Sequence, residues 1–179
     1  MRAFVFLIVF STLTACDVRT VEFISPQERK TIVVNNNNPV ITGFQYINFT
    51  ETANRAELKE LMNVDPKRTE WCAAFVNAVL EESDIESNKD HAYPLTARAF
   101  LDWGMSVPKE DIQPGDLVVF PRGNQGWQGH VGFYLKTQEI NGVEYYYILG
   151  GNQANRVSIV SYRANRALGI RRQSPTKRG

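Results

Sequence analysis

The sequence has few residues of the kinds that bind metals. Its 179 residues include only two cysteines and two histidines, and these do not recur at the ligand spacing of a zinc site. A glycine-rich phosphate-binding loop is also missing from the sequence. These absences exclude the common metal and nucleotide sites, so we expect the protein to need no cofactor.

An excess of charge of one sign is lacking as well. Lysine and arginine number 20 against 19 acidic residues, which gives a formal net charge of +1. No long basic stripe runs along the chain, and this argues against a nucleic acid as the main partner. Residues 174–179 are interpreted as a basic tail exposed to solvent.

The chain has no apolar run long enough to span a bilayer as a helix, which takes about 20 residues. The run at residues 3–10 follows Arg2 and precedes small and polar residues, as in a signal peptide. Residues 13–16, Leu-Thr-Ala-Cys, resemble the lipobox of bacterial lipoproteins. The resemblance implies that residues 1–15 are removed and that Cys16 carries a lipid anchor in the cell envelope. An ordinary signal peptide ending before this cysteine is the alternative.

Residues 16–45 differ in composition from the rest and are predicted to form a tether. Four consecutive asparagines precede Pro39, a pattern that disfavours regular structure. Residues 31–34 are predicted to form a short strand within this segment. The remaining residues, 46–173, are enough for one domain with a single core.

The pattern of apolar residues in the domain predicts helices first and strands afterwards. Residues 51–62 and 71–80 show helical spacing, and a short third helix is expected at residues 97–103. Asn141-Gly142 is a strong signal for a two-residue hairpin between two strands. This order indicates an α+β fold with an antiparallel sheet. The predicted strands are residues 117–120, 130–135, 144–149, 157–160 and 167–170.

Cys72 is predicted to lie in the first turn of the second helix. Free backbone N–H groups and the helix dipole at that position favour the thiolate and lower the pKa of the thiol. If Cys16 carries lipid, Cys72 has no partner in an oxidising compartment, which favours a catalytic thiol. A buried, unreactive cysteine remains the alternative.

His130 is the candidate base for this thiol. It begins an apolar strand directly after the glycine-rich loop 123–129, whose glycines would allow close approach of a substrate. The other histidine, His91, lies in a polar loop and is expected to be exposed and without a catalytic role. A third group should orient the imidazole. Asn152 fits that role at the end of the next strand, and Gln153 is its alternative because strand alternation places only one of them beside His130.

Four sequence blocks together resemble a known family. They closely resemble a bacterial and phage subfamily of CHAP-like proteins, within the NlpC/P60 group of papain-like peptidoglycan hydrolases. The resemblance covers roughly residues 52–172, with the blocks in the order of the family. The blocks are Trp-Cys-Ala-Ala-Phe-Val-Asn at 71–77, Pro-Gly-Asp-Leu-Val-Val-Phe at 114–120, Gly-His-Val-Gly-Phe-Tyr at 129–134 and Leu-Gly-Gly-Asn-Gln at 149–153.

The resemblance implies a papain-like α+β fold in which the N-terminal helices pack on an antiparallel sheet. It implies that Cys72 attacks an amide of peptidoglycan, that His130 is the base and that Asn152 is the orienting group. The backbone N–H of Cys72 would hold the oxyanion. Further candidates for the oxyanion site or the cleft are Trp71, which suits the core better, Gln153 and Trp127.

The function expected from the sequence is a membrane-anchored cysteine peptidase or amidase acting on peptidoglycan stem peptides or cross-bridges. Both an endopeptidase and an N-acetylmuramoyl-L-alanine amidase fit this expectation. A wall-binding lipoprotein that keeps the scaffold without turnover is one alternative. An acyl transferase on the same scaffold is another.

Overall fold

The structure, a computed structural model, describes residues 18–24, 29–35 and 37–175. The predicted signal segment 1–15, Cys16 and the end of the basic tail lie outside the described residues. Within the described ranges, no helix is long and apolar enough to cross a membrane.

The described chain begins with a two-stranded antiparallel hairpin. It consists of β1 (Val18–Ile24) and β2 (Arg29–Asn35). Strand β2 includes the short strand predicted at residues 31–34. Val34 is buried in the main hydrophobic core, so the hairpin contacts the domain at this residue.

Helix α1 (Pro39–Phe44) lies within residues 16–45, the segment that the sequence assigned to a tether. The Asn-Pro pair starts this helix, whereas the sequence suggested a break in regular structure. The side chain of Asn38 accepts a hydrogen bond of 3.0 Å from the N–H of Val40, and proline suits the first helical turn. Val40 and Phe44 are buried in the core, so this helix packs as part of the domain.

The next two helices match those predicted from apolar spacing. Helix α2 (Arg55–Met62) begins later than expected and ends at Asn63, which adopts a left-handed conformation. Helix α3 (Cys72–Glu82) is the central helix, and every residue from 72 to 80 is buried. A 3₁₀ helix, Ala97–Leu101, stands where the third predicted helix was expected.

The remaining strands form one antiparallel sheet of six strands in the order β3-β8-β4-β5-β6-β7. The hairpin predicted at Asn141-Gly142 is confirmed, and both residues have positive φ, as a type I′ turn requires. All five predicted strands are present, and β3 is a short addition at one edge. The strands are β3 (Met105–Ser106), β4 (Leu117–Pro121), β5 (Gly129–Ile140), β6 (Val143–Gly150), β7 (Ser158–Arg163) and β8 (Gly169–Arg172).

Both faces of the sheet carry buried apolar side chains. On one face, alternate residues such as Leu117, Val131 and Phe133 join the core made with the helices. On the other face, Phe120 and Tyr146 belong to a smaller cluster. Helix α3 packs against β5 and β6, which brings its N-terminal end to the start of β5. The α+β class predicted from the sequence is therefore confirmed.

Candidate active site

Cys72 is the first residue of helix α3, and its thiol is almost fully enclosed, with 3% of the residue exposed. The first helical hydrogen bond runs from the N–H of Phe75 to the carbonyl of Trp71 at 2.9 Å. The N–H groups at the start of the helix therefore have no acceptor within the helix. Their partial positive charge could stabilise the negative charge that develops on a carbonyl oxygen when the thiol attacks the carbonyl carbon.

Trp71 is a core residue and does not line the cleft. It is fully buried, and its ring packs edge-to-face against Phe75 with 6.4 Å between ring centroids. The turn after β6 also approaches this ring, because a Cβ added to Gly151 would lie 2.7 Å from it. The close approach brings residues 151–153 against the start of α3.

Burial raises the pKa of the Cys72 thiol above its usual range. The charge of Arg122 and the backbone N–H groups of Val131 and Ala73 act in the opposite direction but do not outweigh burial. The lowered pKa expected for Cys72 at a helix start is therefore wrong in its net direction. Desolvation of the buried thiolate outweighs the groups that favour it.

His130 lies at the start of β5 and is also buried. Its ring stacks on Tyr162 with 5.4 Å between ring centroids and 29° between planes. Burial, together with the nearby charge of Arg122, lowers the pKa of His130 to about 3, against a hydrogen bond with Gln153 that raises it. The imidazole is therefore neutral at physiological pH.

Gln153 determines which ring nitrogen of His130 carries the proton. Its amide nitrogen donates to the backbone carbonyls of Gly150 (3.2 Å), Ile148 (3.3 Å) and Ser158, so its amide oxygen faces the ring. That oxygen lies 3.2 Å from Nε2 of His130. A carbonyl oxygen can only accept, so Nε2 bears the hydrogen and Nδ1 has the free electron pair.

Nδ1 of His130 is buried and has no hydrogen-bond partner among the described residues. The thiol of Cys72 faces the same part of β5, since the backbone N–H of Val131, the residue after His130, stabilises its thiolate form. Burying a basic nitrogen without a hydrogen-bond partner costs free energy, so its presence here calls for an explanation such as a catalytic role. The arrangement provides a neutral base and a neutral thiol near the start of β5.

The side chain that hydrogen-bonds His130 is that of Gln153 and not that of Asn152, so the structure favours Gln153, the alternative named from the sequence, over Asn152 as the orienting group. Strand β6 ends at Gly150, and Asn152 has a φ of 55°, so strand alternation no longer applies. The buried Asn152 side chain instead donates to a carboxylate oxygen of Glu70 at 2.6 Å. Its backbone carbonyl accepts from Arg122 at 3.2 Å.

Sequence reasoning missed two residues near the imidazole. The hydroxyl of Tyr162 donates to the amide oxygen of Gln153 at 3.0 Å while its ring stacks on His130. No signal marked this tyrosine, since the strand that bears it was predicted to end at residue 160. Arg122 had a weak signal as the charged residue that follows the buried strand β4. Its guanidinium also hydrogen-bonds Tyr162.

A cleft of about 270 Å³ opens beside Cys72. Trp127, which the sequence analysis named as a cleft candidate, forms part of its wall and is 66% exposed. Glu70 and Arg122 line the same cleft and lie 3.9 Å apart. An extended polar chain bound in this cleft would pass between the carboxylate of Glu70 and the guanidinium of Arg122 on its way to Cys72.

Comparison with known proteins points to the family indicated by the four sequence blocks. A model of the CHAP domain family matches residues 64–152, a range that contains Cys72 and His130 and ends just before Gln153. Together with the helices packed on an antiparallel sheet, the match confirms the papain-like α+β fold. It supports the resemblance to CHAP domains that the four blocks indicate.

A solved NlpC/P60 family protein from Bacillus cereus is similar at 15% identity, with a TM-score of 0.45. The similarity covers 94% of this chain and 54% of that protein, so this chain spans about half the length of that protein. A TM-score below 0.5 does not establish a shared fold. No curated protein matches the chain.

Replacing Gln153 by glutamate should raise the pKa of His130 by about one pH unit or more, because a carboxylate facing Nε2–H stabilises the imidazolium. Two-dimensional NMR of the imidazole nitrogens across a pH titration measures this directly. Asn152→Asp is the matched control, since it adds the same charge one residue away without contacting the ring. A larger effect in Asn152→Asp than in Gln153→Glu would contradict the corrected assignment.

Alkylation of Cys72 by iodoacetamide should be slow at pH 7 and should still be rising above pH 9. Only the thiolate reacts, and burial keeps its fraction below that of a free thiol. Mass spectrometry of the peptide containing Cys72 gives the rate in the full chain. Arg122→Gln should slow the reaction further, because it removes a charge that favours the thiolate. A plateau reached below pH 7 would show that the resting site holds a thiolate.

Proposed function

We propose that this protein is a cysteine hydrolase that cleaves amide bonds in the peptides of peptidoglycan. The observation that carries the proposal is the buried Nδ1 of His130, which has no partner among the described residues, on the strand whose Val131 N–H stabilises the thiolate of Cys72 at a helix start. The match to the CHAP family supports the substrate class, since CHAP domains are typically cysteine amidases or peptidases. Stem peptides and cross-bridges are the parts of this polymer that contain amide bonds.

In the first step, Sγ of Cys72 attacks the carbonyl carbon of the amide while Nδ1 of His130 takes the thiol proton. Both groups are neutral at rest, so the proton moves as the S–C bond forms. The negative charge passes to the carbonyl oxygen. The unbonded N–H groups at the start of α3 are suited to stabilise it there.

In the second step, the protonated Nδ1 gives its proton to the leaving nitrogen, and the C–N bond breaks to leave a thioester. A water molecule then attacks the thioester, and Nδ1 takes a proton from that water. Collapse of this second intermediate releases the carboxylic acid and restores the Cys72 thiol. His130 thus acts as a base and then as an acid in each half of the reaction.

Gln153 suits this cycle because it is a neutral acceptor. It keeps Nε2–H hydrogen-bonded in both protonation states of the ring. Unlike a carboxylate, it does not add the charge that would make the imidazolium a weak acid. Tyr162 restrains the same amide oxygen and one ring face. Both residues are positioning residues, since they act through His130.

Cys72→Ala should abolish release of soluble muropeptides from purified sacculi, by a factor of at least about 10³, and should leave the circular dichroism spectrum unchanged. His130→Ala should behave in the same way. Liquid chromatography with mass spectrometry identifies the products and thereby the bond that is cut. Full release by Cys72→Ala would exclude the thiol mechanism, and products joined to an added amine in place of water would indicate an acyl transferase.

A lipid on Cys16 is the proposed anchor, and it would place the hydrolase on a membrane surface of the cell envelope. The proposal rests on the lipobox pattern at residues 13–16, together with the basic and apolar residues before it. Two or more acyl chains on one cysteine give stable attachment to a bilayer.

Cys16→Ser should move the protein from the membrane fraction to the soluble fraction after cells are broken. Immunoblots of the two fractions measure this, and Cys72→Ser is the matched control because it also removes one thiol. Equal membrane retention of Cys16→Ser and the unmodified chain would contradict lipid anchoring without affecting the proposed chemistry.

A further inference from the structure

A second cavity, of about 440 Å³, lies beside the cleft that contains Cys72. Tyr93 and Trp127 line it and are 69% and 66% exposed, the highest values among the large apolar side chains that the structure describes. Nearly all other large aromatic side chains in the described domain are at least half-buried. Exposed aromatic side chains that share one concave site commonly mark a place of binding.

The second cavity adjoins the cleft at Cys72. Trp127 and Thr96 line both of them, so one indole forms a wall that the two spaces share. Leu95, another exposed apolar residue, lines the cleft next to Thr96. A ligand that fills the second cavity would therefore be linked within a short distance to the group at Cys72.

Hydrogen bonds restrain the backbone at Tyr93 and beside Trp127. The backbone N–H of Tyr93 donates to Nδ1 of His91 at 3.0 Å. The guanidinium of Arg98 donates to the carbonyl of Gln128, next to Trp127, at 2.8 Å. His91 thus has a local structural contact and lines this cavity rather than the cleft at Cys72.

The charges around the second cavity balance. Arg98 and Asp102 both line it and supply one positive and one negative group. Balanced charges with hydrogen-bonding capacity suit a neutral polar ligand, whereas an anionic peptide would meet a carboxylate. Aromatic faces suit the C–H face of a sugar ring, and the charged groups suit its hydroxyl and acetamido substituents.

From these features we infer that the cavity between Tyr93 and Trp127 binds a sugar ring of the glycan strand. The inference rests on the proposed function, which makes peptidoglycan the substrate. It places the glycan next to Cys72 and so favours attack on an amide close to the sugar over attack on a distant cross-bridge. The volume of the second cavity lies within the range of about 300–1,000 Å³ that is typical of small-ligand sites.

The test uses the full chain with Cys72→Ala, so that binding is measured without turnover. The probe is the β-1,4-linked trimer of N-acetylglucosamine, which contains no peptide. Its titration should change the tryptophan fluorescence and reach saturation. Trp127 should dominate that signal, because Trp71 and Trp103 are buried.

Tyr93→Ala, added to this chain, should weaken binding of the trimer about tenfold, since it removes one of the two aromatic faces that would contact the sugar. Tyr93→Phe should retain binding because the ring is kept. Leu168→Ala is the matched control, since it removes an exposed apolar side chain that does not line either cavity. Isothermal calorimetry gives the affinities of all these variants. It is needed for Trp127→Ala, because that variant lacks the main fluorescent group. Trp127→Ala should bind the trimer at least tenfold more weakly.

Lack of saturable binding to the trimer would overturn the inference. So would equal affinity in the Tyr93→Ala and Leu168→Ala chains, or stronger binding of a sugar-free stem peptide that depends on the same two aromatic residues. These results are independent of the hydrolase proposal, because they are obtained with the inactive variant. Loss of muropeptide release in Cys72→Ala tests that proposal separately.

Discussion

The chemistry of the candidate site depends on how the side chain of Gln153 is held. Carbonyls of Ile148, Gly150 and Ser158 take all the donor capacity of its amide nitrogen, so the amide cannot rotate by half a turn without facing oxygen with oxygen. The oxygen that remains fixes the hydrogen of His130 on Nε2. Backbone carbonyls at and after the end of β6 therefore fix the orientation of Gln153 and, through it, leave the free electron pair on Nδ1. The proposed base requires that electron pair.

Burial favours a resting site with a neutral thiol and a neutral imidazole over one with a thiolate–imidazolium pair. It raises the pKa of Cys72 and lowers that of His130, so both effects favour the neutral pair. The charge of Arg122 also disfavours the imidazolium, while it favours the thiolate. Substrate that displaces water and brings a polar carbonyl to the helix start would supply the stabilisation that the free site lacks.

Much of the fold could be predicted from the sequence, because it depends on local patterns. Apolar spacing located α3, and Asn141-Gly142 located the β5–β6 turn. The choice between Asn152 and Gln153 could not be predicted, since it depends on a positive φ after the end of β6. The direction of the pKa shift at Cys72 depends on enclosure by distant segments. The role of Tyr162 requires the pairing of β6 with β7, which no local pattern specifies.

The glycine-rich loop before His130 contains a glycine whose role differs from the one expected from the sequence. Its glycines were expected to let substrate approach, but Gly123 makes room for Gln128, whose amide oxygen would lie 2.0 Å from an added Cβ. That oxygen accepts hydrogen bonds from the N–H groups of Asn124 and Gln125. These hydrogen bonds within the loop restrain its backbone on both sides of Trp127. Trp127 lies in this segment and lines both cavities. Arg122 directly precedes this loop and its charge favours the thiolate of Cys72, so the proposed sugar site and the charge that acts on the thiol lie at the two ends of one short segment.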